Sequence, residues 1–476
     1  MLTLLLAAGT GCQSAYRSHT TSVVAAYTSG DYPLAASLSA QGAERNQNDE
    51  TERVIYNLEA ARTAQVAGKH EASSTYYDAV YEDTRPYLSN KAEDSITEGI
   101  VTTAVNQAMS TYKATPGERI MSTSLNAINF LALGDLDLAR IELNRAADWQ
   151  EDASDRYASQ IEAAQKKIRS QARKKDLDED LPDGVPEYMR SFYANLEDLS
   201  GYGDYGNPFA SHLRGIYLMA CGSGPGDRSN AEFELRQAAE MNPACLPALA
   251  ADLAVLQNRT QAQPPTTWVY FMTGEVAHFE EFRLDIPIPV GNVNYVSAAF
   301  PRLETTPNPA DTLDVAAGQD ANARGSLLVD MDDVVGSEFS VRLPTIILQE
   351  ITSSATKAAA TWAARESAGE YAQLAGILYQ AATTSADLRS WRTLPKQILV
   401  ARTLTPDSGK LTLSTASGRS LGTTSVIPGE CNLVVVTLPS TAAPRAAIDS
   451  IQLSGRNPGR KTPNNAVPDD PKGVTQ

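Results

Sequence analysis

Phe130-Leu131-Ala132-Leu133-Gly134-Asp135-Leu136-Asp137-Leu138-Ala139 reads as the end of one helix, a tight turn and the start of a second. Glycine takes the left-handed conformation that ends a helix. Asp135 is placed to cap the next helix and suits its positive end. The same shape occurs at Tyr27 to Ala35, around Gly30 and Asp31, and at Ala61 to Ala72, around Gly68, with Tyr76 and Ala79 following. A fourth unit runs from Leu213 to Met219, breaks at Gly222–Gly226 and resumes at Ala231. Asn242-Pro243 then closes the last helix, because proline cannot continue it. From residue 18 to about 255 alanine is frequent and apolar residues recur at three- and four-residue spacing, which predicts paired helices.

These units resemble tetratricopeptide-like repeats, with small residues at the turn and proline after the second helix. Their spacing is irregular, roughly 40 to 80 residues instead of about 34, so the expectation is a degenerate helical solenoid, with an unrelated helical bundle as the alternative. Within it, Ile161 to Lys175 reads as a helix with Lys166, Lys167, Arg169, Arg173, Lys174 and Lys175 on solvated faces. The acidic turn Asp176 to Gly184 lacks the glycine a calcium loop needs at its sixth position, where Leu181 stands.

The character changes near residues 256–266, a polar, proline-containing linker. Strand signals follow at Thr267–Met272, Phe279–Ile286, Val293–Phe300, Lys396–Arg402, Lys410–Leu413 and Cys431–Leu438, rich in β-branched and aromatic residues. Residues 303–325 read as a polar loop, and about 342–384 as one long helix, alanine-rich from Ala355. The predicted class is α+β and multidomain: a tetratricopeptide-like α-helical solenoid over 13–255, then a small β-rich domain over 267–455 that carries one long helix. Residues 456–476, rich in Pro, Asn and Gly, read as a disordered tail.

The chain has 476 residues and a formal net charge of -17. That balance argues against nucleic acid, whose phosphates call for a basic footprint. Hydrophobic residues make up 42% of the sequence, enough for real cores. No internal stretch approaches the ~20 apolar residues of a spanning helix, so the membrane-directed signal sits at the start. There, Leu2 to Ala8 form a short apolar run, small residues follow, and Cys12 comes next. This resembles the lipobox of bacterial lipoproteins. Two features depart from that pattern: no Lys or Arg precedes Arg17, and Gly9 stands where an aliphatic residue is usual. The resemblance implies a signal peptide over 1–12, acylation of Cys12 and, with Gln13 after it, the periplasmic face of the outer membrane. The other cysteines are Cys221, Cys245 and Cys431. Cys221 and Cys245 can pair across a helical hairpin in an oxidising compartment, or all three can act as small buried hydrophobes.

Several stretches together look familiar: the lipobox, Gly134-Asp135 with Ala139 to Glu142, Asn207-Pro208-Phe209 before a helix, Pro243 after it, and Asp387-Leu388-Arg389-Ser390-Trp391-Arg392-Thr393-Leu394-Pro395. They resemble an uncharacterised family of bacterial envelope lipoproteins with a helical-repeat front half and a β-rich back half, over most of the chain. Genes of that family often lie near those of lipoprotein activators of penicillin-binding proteins. The resemblance therefore implies, by association, a place around peptidoglycan synthesis. It carries over no catalytic residue.

Motifs for catalysis are sparse. His19, His70, His212 and His278 have no ligand-spaced partners, and no Cys/His cluster suggests zinc. Ser354-Ala355-Thr356-Lys357 matches the Ser-x-x-Lys of penicillin-binding enzymes but lacks its companion motifs, so a polar face of the helix is the simpler reading. Trp391 to Pro395 reads as core at a turn, with a contact surface as the alternative. The expectation is a non-enzymatic, lipid-anchored scaffold or adaptor for other envelope proteins, with no metal and no cofactor, presenting the concave face of its solenoid. Two other classes stay open: an envelope hydrolase or glycan-processing enzyme with carboxylates in the C-terminal half, and a structural envelope subunit.

Overall fold

Gly30, Gly68 and Gly134 all take positive φ, at 82°, 73° and 83°, and each ends a helix as the sequence predicts. Asp31 accepts a hydrogen bond from the Leu34 amide at 3.1 Å and Asp135 from the Leu138 amide at 3.0 Å, so both aspartates cap the following helix. At Gly30 a Cβ would also meet Pro444 and Ala443 at 3.1 and 3.2 Å.

The computed structural model describes residues 3–88, 110–174, 182–203, 205–224, 226–258, 262–286, 296–318, 322–368 and 385–454, with the backbone alone at 3–15, 87, 296 and 358–368. The residues Asp176–Asp180 and Leu181 of the acidic turn, the 369–384 part of the long helix, the first residues of the strand expected at Val293 and the 456–476 tail lie outside the described residues.

The helical part comprises α1 (Thr3–Thr28), α2 (Tyr32–Arg45), α3 (Arg53–Val66), α4 (His70–Thr84), α5 (Pro116–Leu133), α6 (Leu136–Arg173), α7 (Pro208–Cys221), α8 (Asp227–Met241) and α9 (Leu246–Gln257). The hairpins are α1–α2, α3–α4, α5–α6 and α7–α8. The eighth helix begins four residues before the expected Ala231, because Asp227 folds back on the Gly224 amide at 2.8 Å and pairs with Arg140 at 2.7 Å. The Ile161 to Lys175 region is also less solvated than expected. Ile161, Ala164, Ile168 and Ala172 recur at three- and four-residue spacing and are buried.

The second part runs β1 (Thr266–Thr273), β2 (His278–Ile286), β3 (Val296–Glu304), β4 (Asp314–Ala316), β5 (Asn322–Arg324), β6 (Ser326–Asp330), α10 (Met331–Ala368), β7 (Gln397–Leu404), β8 (Lys410–Ser414), β9 (Ser420–Ser425), β10 (Asn432–Leu438) and β11 (Ala447–Gln452). The fold is α+β. The main sheet has the order β11-β10-β1-β7-β6. The β1–β10 pair is parallel, with Tyr270 opposite Val435, and the other neighbours are antiparallel. A second sheet, β5-β4-β8-β9, covers one face, and β2–β3 forms a separate ribbon.

All eight residues of β1 are buried, because both faces of the main sheet are covered; such strands read as continuous apolar runs. Val269, Phe271, Leu399 and Val434 face the second sheet, in one cluster with Leu411 and Leu413. Trp268, Tyr270, Val400 and Leu433 lie in one cluster with Leu58, Leu125, Leu213 and Leu253 of the helices. A single core therefore runs across the boundary at 256–266 and joins the two halves. The main sheet packs directly on the helices for which an open concave face was expected. His212 meets the Tyr270 hydroxyl at 2.6 Å, and Arg62 donates to Thr437 Oγ1 at 3.3 Å. A second cluster gathers the C-terminal half of α6, the α10 helix and the β2–β3 ribbon around Phe300, Phe339, Leu343 and Ile347.

The tenth helix starts eleven residues before the expected Arg342. Its first turn holds Asp332 and Asp333, which suit a helix N-terminus, and Pro344 sits inside it.

Candidate functional site

The clearest site forms where the two clusters meet. The fifth helix begins with Thr115-Pro116-Gly117-Glu118, a capping box: the Thr115 side chain accepts from the Glu118 amide at 3.3 Å, and Glu118 accepts from the Thr115 amide at 2.9 Å. Glu118 also accepts the Tyr112 hydroxyl at 2.6 Å and the Trp391 amide at 3.2 Å. Glu338, on α10, accepts the Gly117 amide at 2.6 Å. Gly117 allows this approach, since a Cβ there would meet Val334 at 2.7 Å. Two carboxylates from opposite halves of the chain thus meet one helix N-terminus, where their charge is favoured.

These residues wall a cavity of about 130 Å³. Val276, Phe279, Phe339, Ile346, Trp391 and Leu394 make it apolar; Tyr112, Glu118, Glu338, Arg342, Gln349 and Arg389 make it polar. Trp391 is buried, edge-on to Tyr77, with its indole N–H on Thr393 at 3.1 Å, so its expected place in the core holds while one side of it faces the cavity.

The charged groups differ in how they are held. Arg389 donates to Asp387 at 2.8 Å and to the Ser110 carbonyl at 2.8 Å, and stitches the 387–391 segment to the helical half. Arg342 is partly buried and has no hydrogen bond or ion pair among the described residues. Burial works against its charge, but Tyr157, Glu338 and Asp387 act the other way, and the balance lies above the ordinary arginine value. Burial pushes the Glu338 carboxyl up to about 7 despite its bonds to Thr115 and Gly117, and burial raises Glu118 as well.

Both oxygens of Glu118 are already engaged, and Glu338 Oε1 is held by Gly117. These bonds make the pair a double cap and leave Arg342 as the group best placed to meet a molecule in the cavity. A guanidinium offers a planar fork of donors that matches a carboxylate.

The residues singled out in the sequence lie elsewhere or play other parts. Cys12 falls within α1, and its side chain lies outside the described ones. Tyr16, one turn later, is buried edge-on to Tyr56 at 5.6 Å and donates to the carbonyl of Ser390, a cavity residue, at 3.3 Å. Of the two readings open for Cys221 and Cys245, the disulfide is not made. Cys221 ends α7 with its sulfur 3.2 Å from the Leu453 carbonyl, whereas Cys245 is a buried free thiol turned to the Asn242 carbonyl at 3.0 Å. Ser354 is buried on α10, and burial lowers Lys357 while Glu350 acts in its favour. Among the described residues no group of three or more His, Cys, Asp or Glu is placed to hold a metal, and no helix is long and apolar enough to cross a membrane.

The sequence reading missed Thr115, Glu118, Glu338 and Arg342. The first two carried a signal, the Thr-Pro-x-Glu capping pattern. The other two carried none, because their significance arises only when α10 meets α5. Set against protein-family models, curated proteins and solved structures, the chain matches none.

Proposed function

We propose that the chain is a bacterial envelope lipoprotein, acylated at Cys12 on the periplasmic face of the outer membrane, that acts as a binding and adaptor protein for other envelope proteins. The observation that carries this reading is the seam cavity, which is walled by both halves and has, beside two carboxylates already engaged as helix caps, the Arg342 guanidinium with no hydrogen bond or ion pair among the described residues. Such a wall suits holding a molecule better than transforming one. An occupant would touch the helical half and the sheet half together, and so bear on how they meet.

The tether reading rests on the run Leu2 to Cys12. Buried Tyr16 lies four positions after Cys12, which at helical rise is about 6 Å. Acyl chains there would hold the body against the bilayer without a long leash, with the cavity residue Ser390 near the anchored pole. Each buried methylene of an acyl chain adds about 0.8 kcal/mol, so several chains hold firmly.

The hairpins α1–α2, α3–α4, α5–α6 and α7–α8 support reading the helical half as a degenerate tetratricopeptide-like array. The main sheet packs on these helices, so a partner would use the outer face, where Leu133, Leu138 and Ile141 are exposed at the α5–α6 turn. A photo-crosslinking residue at position 141, in the cell of origin, should give one discrete adduct with an envelope protein, and Cys12→Ser should abolish it by releasing the chain from the membrane. No adduct, or an adduct indifferent to Cys12→Ser, would contradict this reading.

A further inference from the structure

We propose that the seam cavity is a carboxylate-binding site: Arg342 holds the carboxylate of a small monoanionic organic acid whose apolar body lies against Phe279, Phe339, Ile346 and Trp391. This rests on the reading of the cavity as a binding site and adds the class of the ligand.

Three observations carry it. First, Arg342 faces the cavity with no hydrogen bond or ion pair among the described residues, whereas Arg389 beside it is fully engaged by Asp387 and backbone carbonyls. A fork of donors in an apolar-walled space favours a bidentate acceptor. Second, the acidic neighbours do not fill that role. Glu118 is held by Tyr112, Thr115 and Trp391, and Glu338 by Gly117. Third, size fits the chemistry. A cavity of about 130 Å³ is close to the roughly 150 Å³ that takes benzene, so a ligand of some six to nine non-hydrogen atoms fits and a long acyl chain does not. Lys113 and Arg389 also line the wall, but Arg389 is held by Asp387 and backbone carbonyls, and Thr345, Gln349 and the Tyr112 hydroxyl are uncharged, so Arg342 is placed to meet a single negative charge.

The test uses the full-length Cys12→Ser chain and three probes in isothermal titration: benzoate, benzyl alcohol and inorganic phosphate. Benzoate should bind at least tenfold more tightly than benzyl alcohol or phosphate, and should shift the emission of Trp391 on binding. Arg342→Met should weaken benzoate tenfold or more, with little change for benzyl alcohol. Arg342→Lys should weaken it less. Because Arg342→Met can perturb α10, the comparison of benzoate with benzyl alcohol on the unsubstituted pocket stands by itself. Equal binding of benzoate and benzyl alcohol would overturn the carboxylate assignment while leaving a binding cavity. Binding of none of the three would overturn both. Tight phosphate binding lost in Arg342→Met would replace the organic acid by an inorganic anion.

Discussion

Asp252→Ala should lower the unfolding free energy by about 3–5 kcal/mol, the cost of breaking a buried ion pair from one side. Asp252, on α9, is fully buried and accepts the Trp268 indole N–H at 2.6 Å and Arg402 Nε at 3.0 Å. These bonds tie the last helix to β1 and β7. Burial pushes the Asp252 carboxyl up, and Arg402 and Trp268 pull it down. In either protonation state its loss leaves two buried donors without an acceptor, and that desolvation penalty sets the size of the effect. Asp252→Asn, which keeps one acceptor oxygen, should cost less. The double variant Asp252→Ala/Arg402→Met should recover most of the loss, because removing both members of a buried pair is often near neutral. Urea unfolding of the four proteins checks this. A double variant no better than Asp252→Ala would mean that helix packing, not the polar bonds, sets the cost.

The second large effect is on pH dependence. Glu59 is buried on α3, accepts from the Arg392 amide at 2.7 Å and from Thr393 Oγ1 at 2.6 Å, and burial pushes its carboxyl up to about 7 from an ordinary 4.5. The folded chain then keeps a proton that the unfolded chain releases. Stability attributable to this group is greatest below about 4.5 and falls as pH rises, with the full loss reached above about 7. Between pH 8 and 5.5 the linkage amounts to about 2 kcal/mol for such a shift. Glu338, also raised to about 7 by burial, acts in the same direction. His212, lowered to about 3 by burial, opposes them as pH drops below about 6.5. The informative quantity is therefore a difference. Glu59→Gln keeps an acceptor for Thr393 but cannot titrate, so its stability relative to the parent should rise by about 2 kcal/mol between pH 5.5 and pH 8. Parallel pH curves for the two proteins would contradict the buried, protonated state.

How much of this was legible in the sequence follows from how local the physics is. The turns at Gly30 and Gly134 were readable because a glycine and a capping aspartate act within four residues, and the turn at Gly68 from its glycine alone. Strands β1, β7, β8 and β10 were readable from apolar β-branched runs. The short β4, β5 and β9 were not, since their pairing partners make them strands. The start of α10 was obscured by Val334, Val335 and Gly336, poor helix formers whose cost is offset by packing of Val334 beside Gly117 and of Gly336 against Leu199, and by Asp332 and Asp333 in the first turn. The β1–β10 parallel pairing and the packing of the main sheet on the helices are tertiary facts that no local pattern carries. The cavity is the extreme case: Gly117 meets Glu338 across 221 residues, and Glu118 meets Trp391 across 273.

The corrections bear on function. A solenoid with an open groove would bind through its inner face. In this chain the main sheet packs on the helices, and the places proposed for a partner and a ligand are the outer faces of the hairpins and the cavity in the seam. Both lie on a body that the proposed acyl anchor would hold within about one helical turn of the bilayer.

The tether is the claim on which compartment and partners depend, and the intact mass of the polypeptide extracted from its own membranes tests it most directly. The account predicts a chain beginning at Cys12, heavier than its sequence by the mass of its acyl groups. A chain that keeps the eleven preceding residues and carries an unmodified thiol at Cys12 would contradict it.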